Sequence, residues 1–197
     1  LYLDTPEPDA VQLMATRRTQ LGYFKLNRTT ESLAGYFARF GSFLVTIELL
    51  QCSPFDLKTL DDFACPHLKS LTLYMTSGCW LLQKAEFPCL EELRVENAML
   101  ASAMSLTNLF MSCRVLSDVF FTDVGDLTDD HIAQITATGS LDNVTRLHIG
   151  AAAELTAVTV FRIAERCVKL KHLSDLSGWN IPMIFETSST RICTIFV

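Results

Sequence analysis

The stretch Cys65-Pro66-His67-Leu68-Lys69-Ser70-Leu71-Thr72-Leu73 carries the pattern that decides the fold of this chain. Its apolar residues follow a fixed scheme: Leu68, then Leu71 after two other residues, then Leu73 after one more. Because apolar and polar residues alternate around Leu71 and Leu73, the scheme predicts a short β-strand that buries one face. One strand of this length cannot bury that face alone, so further copies of the scheme are expected.

Copies of the scheme recur in phase along most of the chain. Their first apolar residues are Leu21, Leu44, Leu68, Leu90, Leu116, Val144 and Leu170. The intervals are 23, 24, 22, 26, 28 and 26 residues, and all fall within the period of about 20 to 29 residues of leucine-rich repeats. The last copy is irregular, because Leu176 comes one residue late. Leu1 and Leu3 fit the end of an earlier copy, and residues 192–197 fit a later one.

The segments between successive copies predict helices. Amphipathic spacing occurs in residues 30–40, 101–113, 127–135 and 155–167, whereas the interval around residues 81–85 has room for only a turn or two. Thr128, Asp129 and Asp130 suit the start of one helix, since acidic side chains are favourable at the positive end of the helix dipole. Gly139 suits the end of that helix, and Thr156 suits the start of the next.

These units predict an α/β fold, a leucine-rich-repeat solenoid in the shape of a horseshoe. A short parallel β-sheet would line its concave face and helices its convex face, and each unit would bury its leucines by stacking on its neighbours. We expect residues 1–197 to form a single leucine-rich-repeat domain, with about seven recognisable repeats over residues 21–179. The chain begins with Leu rather than Met and the pattern is degenerate or truncated at both ends, so a fragment of a longer chain is expected.

The composition narrows the possible classes of protein. The chain has 197 residues, of which 49% are hydrophobic and 19% charged, and a net charge of −6. A chain this apolar can offset its ordering entropy by burial, which excludes disorder. Lys and Arg number 16 against 22 Asp and Glu and form no dense run, so no nucleic-acid partner is expected. The longest charge-free stretch, residues 97–113, contains Ser, Thr and Asn, so no membrane association is expected.

Seven cysteines indicate a reducing compartment. An odd number without any C-x-x-C pair argues against a closed disulfide framework and against a zinc ribbon. We expect these residues to be small buried hydrophobes, which fits a cytoplasmic or nuclear protein. Cys65 and His67 are close in sequence, but structural zinc needs four ligands, and the four histidines share no short metal spacing. No metal and no cofactor are therefore expected.

Signatures of catalysis are missing from the sequence. There is no G-x-S-x-G motif and no glycine-rich phosphate loop, and the chain has only 8 glycines with which to form such a loop. Some acidic residues could suggest paired carboxylate chemistry: Glu91, Glu92, Glu96, Asp129 and Asp130. They fall on a predicted strand edge and a predicted helix start, where solvated or capping acids belong. We therefore expect no enzyme, with a hydrolase of unrecognised site as a remote alternative.

The run at residues 65–73 closely resembles the cysteine-containing leucine-rich repeat of F-box/leucine-rich-repeat proteins. Cys113 and Cys167 stand three residues before the first apolar residue of their copies, at the same offset as the cysteine of this run. Cys52 takes the position where that repeat type often has Cys or Asn, and residues 125–132 resemble its usual helix opening. The resemblance extends over most of the chain and specifies the type of repeat.

This resemblance implies a protein-binding role. In that family the repeats do no chemistry, and they bind a substrate protein for a cullin–RING ubiquitin ligase. The ligase adaptor would be bound only through an F-box, which is not present in this chain and would lie upstream of it. The alternative is a leucine-rich-repeat scaffold of another type, similar to ribonuclease inhibitor or to an innate-receptor arm, with no ubiquitin role.

The outward residues of the predicted strands would form the binding surface, since the side chains of a strand alternate between its two faces. Among them are the members of a central aromatic and basic stripe flanked by acids: Tyr74, Arg94, Phe120, Arg146 and His148. Because Tyr and Arg are enriched among interface hot spots, we expect this stripe to contact the protein ligand. The alternative is a solvated face with scattered aromatic residues. His148 and His172 could also approach each other across adjacent strands.

Overall fold

The strands of the computed structural model form one parallel β-sheet. The structure describes residues 2–4, 22–28, 37–38, 40–52, 65–75, 87–97, 103–123, 126–174 and 176–181. The strands are β1 (Tyr2–Asp4), β2 (Tyr23–Asn27), β3 (Thr46–Leu50), β4 (Ser70–Tyr74), β5 (Glu92–Glu96), β6 (Asp118–Phe121), β7 (Arg146–Ile149) and β8 (His172–Ser174). Their order in the sheet is their order in the sequence. Together with the helices between the later strands, the sheet makes an α/β fold.

The register of the sheet follows the repeat of the sequence. From β1 to β8, paired Cα atoms of neighbouring strands are 23, 23, 24, 22, 26, 28 and 26 residues apart. The last six values are the intervals of the leucine pattern, and the first one extends that pattern to β1. Four central apolar residues are direct partners on β4 to β7 and at most 2% exposed: Leu71, Leu93, Val119 and Leu147. Their predicted burial on neighbouring parallel strands is confirmed.

Each strand buries every second side chain. In β2 to β7 the even positions are buried and the odd positions are half-buried or exposed. Because the parallel register places equal positions side by side, about 4.8 Å apart, the buried positions form continuous apolar rows. The odd positions form parallel rows on the other face of the sheet.

Each of the strands β2 to β5 is followed directly by a residue in the left-handed region. Arg28, Gln51, Met75 and Asn97 have φ between 48° and 54°, a conformation that L-residues rarely adopt. The N–H groups of the first three donate to carbonyl oxygens at the end of the next strand, at 2.8, 2.8 and 2.9 Å. These hydrogen bonds hold the strained residues in place, so the chain leaves the sheet at the same position each time.

The described helices lie between the later strands. They are α1 (Ala103–Met111), α2 (Asp129–Ala137) and α3 (Ala157–Arg166), which confirms the helices predicted at residues 101–113, 127–135 and 155–167. None of the helices in the described part of the chain is long and apolar enough to cross a membrane. Most of the helix predicted at residues 30–40 lies outside the described residues, as do residues 81–85 and 192–197.

The starts and ends of these helices carry the expected residues. Thr128 and Thr156 are the N-cap residues of α2 and α3, and Asp129 and Asp130 lie in the first turn of α2. The Thr156 hydroxyl accepts a hydrogen bond of 3.1 Å from the N–H two residues further on. Gly139 follows α2 with φ +75°, a conformation in which glycine avoids the strain of a Cβ atom.

The core lies between the sheet and the helices. The buried faces of β2 to β8 and the inner faces of α1 to α3 belong to one apolar cluster. Phe110 of α1 packs edge-on against Phe121 of β6, with ring centroids 5.3 Å apart. After β8, the Trp179 side chain packs into the same cluster and its Nε1 donates to the carbonyl oxygen of Ile149 at 2.8 Å. The irregular last copy is explained here, because Leu176 begins a short 3-10 helix instead of continuing the strand.

The cysteines that the structure describes are free thiols. Cys89 is half-buried, and the other four are buried in the core: Cys52, Cys65, Cys113 and Cys167. Burial raises the pKa of Cys65 to about 11 and the pKa values of Cys113 and Cys167 to about 12, so these thiols stay protonated at neutral pH. Their predicted role as small buried hydrophobes is confirmed. Cys79 and Cys193 lie outside the described residues.

Candidate functional site

The odd strand positions form the face of the sheet that the core does not cover, which we call the open face. Its rows are numbered by strand position. The first row is Tyr23, Thr46, Ser70, Glu92, Asp118, Arg146 and His172; the third row is Lys25, Glu48, Thr72, Arg94, Phe120 and His148; the fifth row is Asn27, Leu50, Tyr74 and Glu96.

A stack of three planar groups crosses β5, β6 and β7 in the third row. Arg94 Cζ lies 4.4 Å from the centroid of the Phe120 ring. On the other side, the Phe120 ring stacks on the His148 imidazole, with centroids 4.0 Å apart and an angle of 4° between the ring planes. A guanidinium over a ring face is a favourable cation–π arrangement. Phe120 is therefore covered on both ring faces.

The imidazole of the stack packs next to a glycine. Gly150 follows β7, and a Cβ atom placed on it would lie 3.2 Å from His148 Nε2 and 3.4 Å from Thr122 Cγ2. Contacts of this length are tight, so a larger residue at this position would push the imidazole away. Gly150 therefore leaves the room that His148 occupies.

Two arginines of the open face form ion pairs. Arg94 pairs with Glu96, and Arg146 pairs with Asp118. The Arg94 and Arg146 side chains are 52% and 61% exposed, and exposed pairs of this kind contribute little to stability. A guanidinium has five N–H donors, so both arginines keep donors for a further partner.

The carboxylates of the open face differ in their surroundings. Glu48 pairs with Lys25 at 2.7 Å and accepts a hydrogen bond of 3.1 Å from the Tyr23 hydroxyl. The hydrogen bond to Glu48 raises the pKa of Lys25. Glu92 is exposed, and its carboxylate makes no hydrogen bond or ion pair with any described residue. Its direct partner in register is Asp118.

A hollow of about 480 Å³ lies on the open face and spans β3 to β8. Four of the five predicted site residues line it: Arg94, Phe120, Arg146 and His148. Tyr74 does not line it, because this residue lies in the fifth row, opposite Glu96. The structure thus brings four members of the predicted stripe together and places the fifth at the margin.

Further titratable residues line the hollow although they lie outside the predicted stripe. They are Glu48, Glu92, Asp118 and His172. The intervals that align the leucines also align the first row, so the register alone could have brought Glu92 and Asp118 to the site. His172 is the direct partner of Arg146. The expected approach of His148 to His172 is thus a diagonal one, between different rows of neighbouring strands.

Asp129 serves as a cap that links two successive helices. Its carboxylate accepts hydrogen bonds from the Thr156 N–H at 3.0 Å, the Thr156 hydroxyl at 2.6 Å and the Thr159 hydroxyl at 2.5 Å. Burial by itself raises the pKa of Asp129, but the hydrogen bonds outweigh it and hold the pKa below its ordinary value. Asp126 likewise accepts from the N–H of Ala103, the first residue of α1, at 3.1 Å. The predicted position of Asp129 at the start of its own helix is confirmed, since it lies in the first turn of α2, whereas its role as a cap of the next helix, α3, was not predicted.

The open face offers binding groups of several kinds on a hydrogen-bonded sheet. Its arginines and histidines carry N–H donors, its carboxylates accept hydrogen bonds, and the stack holds an aromatic ring among them. In the part of the chain that the structure describes, no three His, Cys, Asp or Glu side chains are placed to hold a metal ion. These groups suit contact with a polar ligand.

Neither a protein-family model nor a curated protein matches the chain.

Proposed function

We propose that this chain is the protein-binding region of a leucine-rich-repeat protein. In this proposal the sheet and helices form a horseshoe-shaped solenoid, and the open face is its concave surface. The observation that carries the proposal is the stack of Arg94, Phe120 and His148 inside the hollow. Aromatic rings and arginines are the groups that dominate binding energy in protein interfaces.

The ordering of these side chains supports the same function. Phe120 is held between two planar groups, and Arg94 is also paired with Glu96. Side chains that are already fixed lose less conformational entropy when a partner binds. The hollow therefore combines hot-spot residue types with an arrangement prepared for contact, and no catalytic role is assigned to it.

We further propose a role as substrate receptor of a cullin–RING ubiquitin ligase, in the cytoplasm or nucleus. The resemblance of residues 65–73 to F-box/leucine-rich-repeat proteins supports the receptor role, and the free thiols of the described cysteines support the compartment. The adaptor of the ligase would bind an F-box upstream of residue 1. A leucine-rich-repeat scaffold without a ubiquitin role shares the same binding face and is the alternative.

Affinity capture with paired variants tests the binding face. Partners held by the wild-type chain should be lost with Arg94→Glu combined with Phe120→Ala. They should be retained with Arg166→Glu combined with Phe161→Ala, which makes the same changes on α3. Quantitative mass spectrometry of both captures measures the difference. If the first double variant captures every wild-type partner as well as the second does, the open face is not the interface.

The ubiquitin role is tested separately, with the full-length protein. Co-precipitation of the ligase adaptor, lost when the residues upstream of residue 1 are deleted, would support the receptor. A full-length protein that carries no F-box and binds no adaptor would contradict the receptor and leave the scaffold.

A further inference from the structure

The open face carries an unbalanced negative charge at β5 and β6. Glu92 and Asp118 are direct partners in the first row, so two carboxylates stand opposite each other on strands about 4.8 Å apart. Like charges placed directly opposite destabilise a sheet. Asp118 is neutralised by Arg146, whereas Glu92 makes no ion pair within the described residues.

The cations nearest to Glu92 on the open face are bound elsewhere. Arg94, two residues along the same strand, pairs with Glu96, and Arg146 pairs with Asp118. On the other side of Glu92, its partner on β4 is Ser70, a small side chain that leaves space. Within the described residues, the hollow therefore contains one carboxylate without an ion pair, that of Glu92, next to the Asp118 carboxylate that pairs with Arg146.

We propose that the hollow binds a segment of a partner polypeptide that carries a Lys or Arg side chain, and that this side chain lies between Glu92 and Asp118. This inference rests on the proposed function and adds the chemical class of the partner. An incoming cation would neutralise Glu92, the carboxylate of the two that Arg146 does not pair with. The net charge of −6 would also steer a basic segment toward the chain.

The same pairing pattern disfavours an acidic segment. Each guanidinium is already neutralised by a carboxylate, so an incoming carboxylate or phosphate that used the remaining N–H donors of Arg146 or Arg94 would stand beside Asp118 or Glu96 and be repelled. It would also face Glu92 at the middle of the hollow. A basic segment meets Glu92, which has no ion pair within the described part of the chain, so charge complementarity favours it.

Selection from a random heptapeptide display library against the purified chain tests this inference. The selected peptides should contain Lys or Arg well above the library frequency. Glu92→Lys should weaken their binding at least about five-fold, the combined effect of losing one surface attraction and gaining one repulsion. Glu91→Lys is the matched control, because it makes the same change at the adjacent residue, which pairs with Lys69 at 2.9 Å and does not line the hollow. Both glutamates are exposed, and circular dichroism checks that both variants are folded.

The outcomes separate this inference from the proposed function. Peptides that need Arg94 and Phe120 but are rich in Asp or Glu, or show no charge preference, would overturn the inference and leave the binding face standing. Basic peptides weakened equally by Glu92→Lys and Glu91→Lys would show attraction to net charge alone and also overturn it. If no peptide depends on Arg94 and Phe120, the inference and the proposed face both fail.

Discussion

The two faces of the sheet differ in the range of side chains they carry, even between neighbouring residues of the same strand. The buried row through β4 to β7 contains only aliphatic side chains: Leu71, Leu93, Val119 and Leu147. One residue further, the open face has four different chemical types: Thr72, Arg94, Phe120 and His148. Exclusion of water and close packing restrict the first row. No such restriction acts on the second, so its composition is available to specify a ligand.

The largest expected difference between the faces is one of stability. Leu93→Ala removes a side chain that is 1% exposed and leaves a cavity, so we expect a loss of about 2 to 5 kcal/mol in the free energy of unfolding. Arg94→Ala, at the next residue, should cost about 1 kcal/mol or less, because the ion pair of Arg94 is exposed. Urea unfolding followed by circular dichroism measures both values. Equal losses would show that the two faces do not differ as stated.

A smaller effect is expected where the helices behind the buried face are joined. Asp129→Ala removes the acceptor for Thr156 and Thr159 and should cost about 1 to 2 kcal/mol at pH 7. The pKa of Asp129 is lower in the folded protein than in the unfolded chain, where it is about 3.9. The stabilisation is therefore fully present above the unfolded pKa and lost as the pH falls through the folded pKa.

Urea unfolding of the wild type and the Asp129→Ala variant along a pH series checks this sign. Their difference in unfolding free energy should be constant near neutral pH and shrink below about pH 4. Asp130→Ala, in the same helical turn, is the control and should change little, because Asp130 is exposed. A difference between Asp129→Ala and wild type that grows with acid would contradict the assigned hydrogen bonds.

The smallest effect is expected at Met75, the residue directly after β4. Met75 has φ 48°, which costs a non-glycine residue about 1 to 2 kcal/mol. Met75→Gly relieves this strain but makes the unfolded chain more flexible, so we expect a net stabilisation of about 0.5 kcal/mol. Thr72→Gly, inside β4, has no such strain to relieve and should destabilise. Thermal unfolding of each variant measures the change in melting temperature. A lower melting temperature for Met75→Gly would contradict the assignment of backbone strain to these turns.

Much of the architecture could be predicted because it depends on local spacing. The leucine intervals predicted the strand register from Leu71 to Leu147, and the polar residues around Thr128 and Thr156 predicted two helix starts. The candidate site was predicted less completely, because Tyr74 was chosen for its residue type rather than its row. Glu92 lay outside the predicted stripe, and it becomes a candidate binding residue only through its position opposite Asp118.

The sequence by itself determined which residues are buried, because apolar side chains that recur at a fixed period must all be removed from water. The same period set the number of residues between successive strands. The tertiary structure decided which side chains meet. The stack of Arg94 on Phe120 and of Phe120 on His148 joins residues about one repeat apart, and so does the capping of α3 by Asp129. Such contacts depend on side-chain rotamers and on the packing of successive units, which the hydrophobic period leaves open.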